Sequence, residues 1–229
     1  EPRLDRWEAI ARQIDSATER VTIAVVGKYV DHTDAYKSLH EALVHGGFAH
    51  RAHVDFRYID SEELESKDEA SLLDGVDGIL VPGGFGNRGI EGKIKTIAYA
   101  RERKVPFFGI CLGMQLAVIE YARNVCGFSG ATSVEFDGAS ETPVIHLMET
   151  QKSVEKKGGS MRLGAYPCTL KKGTMARKVY GATDISERHR HRFEVNNEYR
   201  EQMEAKGLIF SGLSPDGELA EIVELADHP

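Results

Sequence analysis

Four short apolar runs punctuate the first half of the chain, separated by stretches of helical periodicity. Val21 to Val26, VTIAVV, reads as a buried strand, and His53 to Ile59, which alternates weakly, as a second. Val76 to Val81 and Val105 to Ile110 predict two more buried strands. Asp34 to Gly46 predicts an amphipathic helix that stops at Gly46-Gly47. Ile90 to Arg103 predicts a second helix. A third runs to Asn124, with Met114, Leu116, Ala117, Ile119 and Tyr121 as its core-facing side. Strands that alternate with helices imply an α/β fold with a largely parallel, doubly wound sheet. Ligands in such sheets bind at the carboxyl ends of the strands.

Beyond Asn124 the pattern changes. Phe128 to Lys157 is loop-rich, with an apolar stretch at Pro143 to Met148 and a turn at Lys156 to Gly159. Met161 to Thr169, Val179 to Thr183 and SERHRHRFEVN predict strands or extended turns, and Tyr199 to Ala205 a short helix. Leu208 to Gly212 and Leu219 to Leu225 predict a closing hairpin across Pro215-Asp216-Gly217. Residues 1–20 form a charged, helical lead-in, expected to be an interdomain linker with Trp7 as its anchor.

Composition narrows the partners. Of 229 residues, 41% are hydrophobic and 28% charged, as in an ordinary globular protein. A net charge of −7 argues against nucleic acid or an anionic membrane. No apolar run is long enough to span a bilayer, and no signal peptide is visible. Cys111, Cys126 and Cys168 show no C-x-x-C spacing, so neither a zinc site nor a disulfide framework is expected, and a cytoplasmic location is. His40, His45, His50 and His53 read as solvated, and His189-Arg190-His191-Arg192 as a solvated strand edge; no metal ligands are expected.

The chemistry concentrates where the fourth strand meets the third helix. Gly109-Ile110-Cys111-Leu112-Gly113 is G-x-C-x-G between strand and helix, the nucleophile-elbow arrangement with sulfur in place of a hydroxyl. A helix N-terminus favours an anion, and lowering a thiol pKa of ~8.5 by ~2 units would make Cys111 mostly thiolate. One strand earlier lies Pro82-Gly83-Gly84-Phe85-Gly86-Asn87-Arg88-Gly89. Gly84 to Gly89 is formally G-x-G-x-x-G, so a dinucleotide-binding module is the rival reading. Against it stand Pro82 on the approach, bulky Asn87 and Arg88 at the helix start, and the absence of an acid on the following strand. Glycines can instead present backbone N–H groups to an oxyanion. Two adjacent strand ends would then offer a sulfur and its oxyanion donors, the requirements of acyl transfer. Gly27-Lys28-Tyr29 is not a P-loop, because no Ser or Thr follows Lys28.

PGGFGNRG, GICLGMQ, GGSMRLG and ERHRHRFEVNN, in that order, resemble the glutamine amidotransferase domain of the CTP synthase family. GICLGMQ alone indicates only the wider class I, triad-type amidotransferases. The resemblance covers residues 21–229 and implies a three-layer α/β/α sandwich with a mostly parallel central sheet. It implies glutamine hydrolysis through a thioester on Cys111, the nucleophile. Gly84 and Leu112 would supply oxyanion N–H groups. Gly84, Leu112, Gly113, Met114, Gln115, Glu135 and Arg192 would bind glutamine. Phe85 and Arg88 would contribute to an allosteric GTP site. Ammonia would pass to a synthetase domain that uses ATP and Mg²⁺ to convert UTP to CTP, in a homotetramer; no cofactor is implied in the amidotransferase domain itself.

Two departures follow. The stretch has no synthetase domain and begins without Met, as if cut from a longer chain. The family's catalytic His and Glu lie in a Q-F-H-P-E-F type block that this stretch does not reach. Asp227-His228-Pro229 matches an upstream D-H-P instead, so His228 is not expected to be the base. The stretch alone is expected to be nearly inactive, and a silent regulatory domain is the further alternative.

Overall fold

The computed structural model describes residues 3–30, 33–147 and 162–229. Four strands build the first sheet: β1 (Glu19–Gly27), β2 (Ala52–Asp60), β3 (Gly78–Val81) and β4 (Phe107–Gly109). Their order is β2-β1-β3-β4 and every pair is parallel, as the alternation of strands and helices predicts. The hydrophobic runs explain the order. β3 is buried throughout and β1 over Ala24 to Gly27, so these two take the centre.

The connecting helices are α1 (Asp5–Asp15), α2 (Lys37–Ala49), α3 (Glu63–Ser66), α4 (Glu69–Leu73), α5 (Ile90–Arg103) and α6 (Leu112–Asn124). Leu112, Leu116 and Ile119 of α6 join Ile94 and Ile97 of α5, with Val26 and Val81 from the strands, in one buried cluster. An ion pair fastens α5 to α6. Glu120, 1% exposed, receives Arg101 Nε at 3.0 and 3.1 Å and Arg101 Nη2 at 2.8 Å.

Three expectations fail here for physical reasons. α2 does not stop at Gly46-Gly47 but runs to Ala49. Gly47 is a packing residue: a β-carbon there would stand 2.6 Å from the Ala52 carbonyl oxygen, so the glycine lets helix and strand touch. β4 is not a buried strand but a three-residue edge, with Phe108 62% exposed. Trp7 anchors nothing among the described residues, being 69% exposed.

The second half carries β5 (Thr132–Ser133), β6 (Pro143–Leu147) and β9 (Phe193–Val195) in a small sheet. A curved antiparallel sheet holds β7 (Arg162–Leu170), β8 (Asp184–His191), β10 (Leu208–Leu213) and β11 (Ala220–Leu225), in the order β11-β10-β7-β8. The predicted hairpin is β10–β11, and the predicted short helix is α8 (Arg200–Ala205), entered through a 3-10 turn at Asn197–Tyr199. The Val179–Thr183 stretch is corrected. Val179 and Tyr180 end helix α7 (Met175–Tyr180), which Thr174 caps by accepting the Arg177 N–H and which Gly181 closes at φ +66°. The expected turn at residues 156–159, with Met148 and Met161, lies outside the described residues.

Candidate functional site

Cys111 sits between β4 and α6, as the glycine spacing predicts. Its backbone holds φ +54° and ψ −104°, territory that a residue with a β-carbon rarely enters. Both flanking glycines are forced by close approach. A β-carbon on Gly109 would lie 2.5 Å from the Gly113 carbonyl carbon, and one on Gly113 would lie 2.1 Å from the Val81 oxygen. The turn is tied by Gly113 N–H to Ile110 O at 2.9 Å and Gln115 N–H to Cys111 O at 3.1 Å.

The glycine loop after β3 arrives beside it. A β-carbon on Gly83 would stand 3.5 Å from Cys111 Cβ, and one on Gly84 3.5 Å from Leu112 Cδ2. Glu135 fixes the loop from the other side, accepting the Gly86 N–H at 2.9 Å. This contact weakens the dinucleotide reading, because a carboxylate already occupies an amide that a pyrophosphate would need. Phe85 is 44% exposed and its carbonyl accepts Lys28 Nζ. Arg88 donates to Lys28 O at 2.5 Å, pairs with Glu62 at 3.7 Å and lies 5.7 Å from the Tyr29 ring centre. Burial pushes the nearby Lys93 amine down to about 8, with Lys28 and Arg88 adding to the effect.

The other predicted residues divide by what they touch. Leu112 is 1% exposed, at the first helical position, and Gly113 is spent on the close packing against Val81. Met114 is half-buried and lines the cleft beside Cys111. Gln115 turns its amide to the Phe193 carbonyl at 2.8 Å, so its side chain holds β9 in place. Arg192 joins β8 to β9 and carries a buried Nε with no partner among the described residues. A buried, unpaired guanidinium nitrogen suits an incoming carboxylate.

The electrostatics correct one expectation. Burial raises the Cys111 thiol to about 11, and the carboxylates of Glu135 and Glu194 push the same way. The Leu112 N–H acts in the predicted, opposite direction but loses. Burial thus favours the thiol over the thiolate at Cys111. Its recorded hydrogen bond is a long one, 4.0 Å to the Arg190 carbonyl oxygen.

Cys111 opens onto a cleft of about 620 Å³ between β4 and α6 on one side and β8 and β11 on the other. The far wall corrects the reading of residues 189–192 as a solvated edge. Arg190 is exposed, but the His189 and His191 side chains are only 11% and 12% exposed. They belong to a buried network. His189 Nε2 meets Glu221 at 2.7 Å, His191 Nδ1 lies 3.3 Å from Glu194, and Arg162 reaches Glu221 at 2.5 Å and Glu194 at 3.4 Å. Burial raises Glu194 to about 8 despite Arg162, and lowers His191 to about 4. Sequence reasoning missed this network because its acids lie outside the basic cluster. Period-two spacing of the histidines was the available signal. His228 also lines the cleft, but its Nε2 pairs with the Ala100 carbonyl at 3.1 Å.

Comparison with known proteins agrees with this geometry. The family model described as glutamine amidotransferase class-I matches residues 31–229. CTP synthase of Geobacter metallireducens is 62% identical over all 229 residues, and that of Geobacter sulfurreducens 58%. The chain spans 43% of the length of each of these relatives. Among solved structures, the Trypanosoma brucei CTPS glutaminase domain with bound acivicin is 41% identical, with a TM-score of 0.83 over 91% of this chain and 82% of that one. The elbow, the adjoining glycine loop and the sheet that presents them are therefore those of a known fold, and the chain belongs to the class I glutamine amidotransferases.

Proposed function

We propose that this chain is the glutaminase half of a CTP synthase and that it hydrolyses glutamine at Cys111. The observation that carries this reading is the strained elbow at Cys111 with the Gly83-Gly84 loop packed against it. In the reaction the thiol proton passes to a base while sulfur attacks the side-chain amide carbon of glutamine. The oxygen gathers negative charge against the N–H groups of Gly84 and Leu112. The C–N bond then breaks, ammonia leaves with a proton returned by the base, and a γ-glutamyl thioester remains. Water cleaves the thioester to glutamate and restores the thiol. Glu135 takes the substrate ammonium and Arg192 its carboxylate, with Met114 and Gln115 shaping the pocket.

A thiol held near 11 makes the base indispensable. Among the described residues no imidazole is hydrogen-bonded to Cys111. Ammonia passes to an ATP- and Mg²⁺-dependent synthetase domain that aminates UTP, in a cytoplasmic homotetramer. GTP acts at Phe85 and Arg88, where an exposed ring and a guanidinium share one loop. Among the described residues no helix is long and apolar enough to cross a membrane.

An electrophilic glutamine analogue tests the reading on the full-length gene product. Peptide mass spectrometry should find the label on Cys111, with glutamine protecting it. A label elsewhere, or ammonia release that survives Cys111→Ser, removes the proposal.

A further inference from the structure

The side chains of His189, His191 and Glu221 converge from two strands that the sheet order keeps apart. β8 and β11 are the opposite edges of the antiparallel sheet, yet His189 Nε2 and Glu221 Oε2 stand 2.7 Å apart. His189 and His191 are two residues apart on one strand, so both imidazoles leave the same face. One nitrogen from each histidine and a Glu221 oxygen all lie within 4.8 Å of one another.

The hydrogen bonds around the group preset the nitrogens. His189 Nδ1 lies 3.1 Å from the Glu187 carbonyl oxygen, and His191 Nδ1 lies 3.2 Å from that of Phe193. A carbonyl can only accept, so each Nδ1 carries the hydrogen, and a neutral ring keeps its lone pair on Nε2. That is the arrangement in which histidines ligate metals, with the remote nitrogen anchored by an oxygen. Glu221 is anchored likewise: Arg162 holds Oε1 at 2.5 Å and leaves Oε2 to His189.

We propose that His189, His191 and Glu221 bind a divalent first-row transition ion, with Zn²⁺ the best match, and leave a fourth position open to the cleft beside Cys111. Two imidazoles and one carboxylate form a donor set that Zn²⁺ takes in open, three-ligand sites, whereas Mg²⁺ and Ca²⁺ prefer oxygen donors alone. Metal–ligand bonds of about 2.1 Å in tetrahedral geometry need roughly 3.4 Å between donors. The His189–Glu221 pair therefore opens by about 0.7 Å on binding. The ion would strap the two edges of the sheet together. The site stands on atoms other than those of glutamine hydrolysis, so either reading can fail alone.

Isothermal titration of the chelator-treated chain with ZnCl₂ tests the site, in a Cys111→Ser background to remove the thiol. One Zn²⁺ per chain is expected, and no uptake of MgCl₂. His189→Ala and His191→Ala should each weaken Zn²⁺ binding by on the order of a hundredfold, while exposed His45→Ala changes nothing. As a guard against variants that misfold, Co²⁺ added to the Cys111→Ser chain with its histidines intact should give the visible absorption of a four-coordinate ion. Absence of Zn²⁺ uptake, uptake unchanged in both histidine variants, or the spectrum of hydrated six-coordinate Co²⁺ each overturns the proposal. In the first case the contact is an imidazolium–carboxylate pair only.

Discussion

The Cys111 β-carbon and the backbone of Gly83 face each other across two adjacent strand ends, 3.5 Å from where a Gly83 side chain would begin. The Cys111 thiol and the glycine loop are thereby fixed by the sheet rather than by flexible connections.

Glycines at the elbow and in α2 should respond oppositely to alanine. Gly113→Ala would force a β-carbon to 2.1 Å from the Val81 oxygen, where only backbone can yield, so the chain should lose several kcal/mol or fail to fold. Gly46 lies exposed inside α2 with nothing within 4 Å, and Gly46→Ala should stabilise by about 0.5–1 kcal/mol. Urea denaturation of the two variants reads both effects.

Alkylation of Cys111 by iodoacetamide should accelerate about tenfold per pH unit from pH 7 to 10. A thiol whose pKa burial raises to about 11 gains thiolate in that proportion throughout the range. A rate that levels off near pH 7 would show that the helix N-terminus outweighs burial. Peptide mapping of the alkylated chain gives the site-specific rate.

Arg101→Ala should cost about 3–5 kcal/mol, because it leaves a carboxylate that is 1% exposed without its charge partner, with only the Asn124 amide donating to it. Glu120→Gln keeps an acceptor and should cost less. Chemical denaturation compares them, and the loss should loosen α5 against α6.

Arg192→Ala in the full-length gene product should raise KM for glutamine by on the order of a hundredfold, the scale of a buried charge pair losing one partner. The unpartnered Nε in the folded chain motivates this. Ammonia release at varied glutamine, with an unchanged KM as the contrary result, decides it.

What could be read from residues alone follows the range of the interactions. The elbow was legible because Gly109, Cys111 and Gly113 carry their meaning within five positions. The β1–β3 core was legible because its runs are uninterrupted. Gly47 was not, since a helix stop and a helix–strand contact call for the same residue and only Ala52 distinguishes them. Nor was the protonation of Cys111, because burial by distant segments outweighs the local helix terminus. Nor was the pairing of His189 with Glu221, which stands 32 positions away on another strand.

Residue 111 carries a conformational cost of its own. Its φ and ψ are the mirror image of an extended conformation, one that glycine enters freely and cysteine does not. Cys111→Gly should therefore yield an inert chain that melts at a higher temperature than the parent. Reactivity and robustness pull against each other at this single residue, and a calorimeter can weigh one against the other.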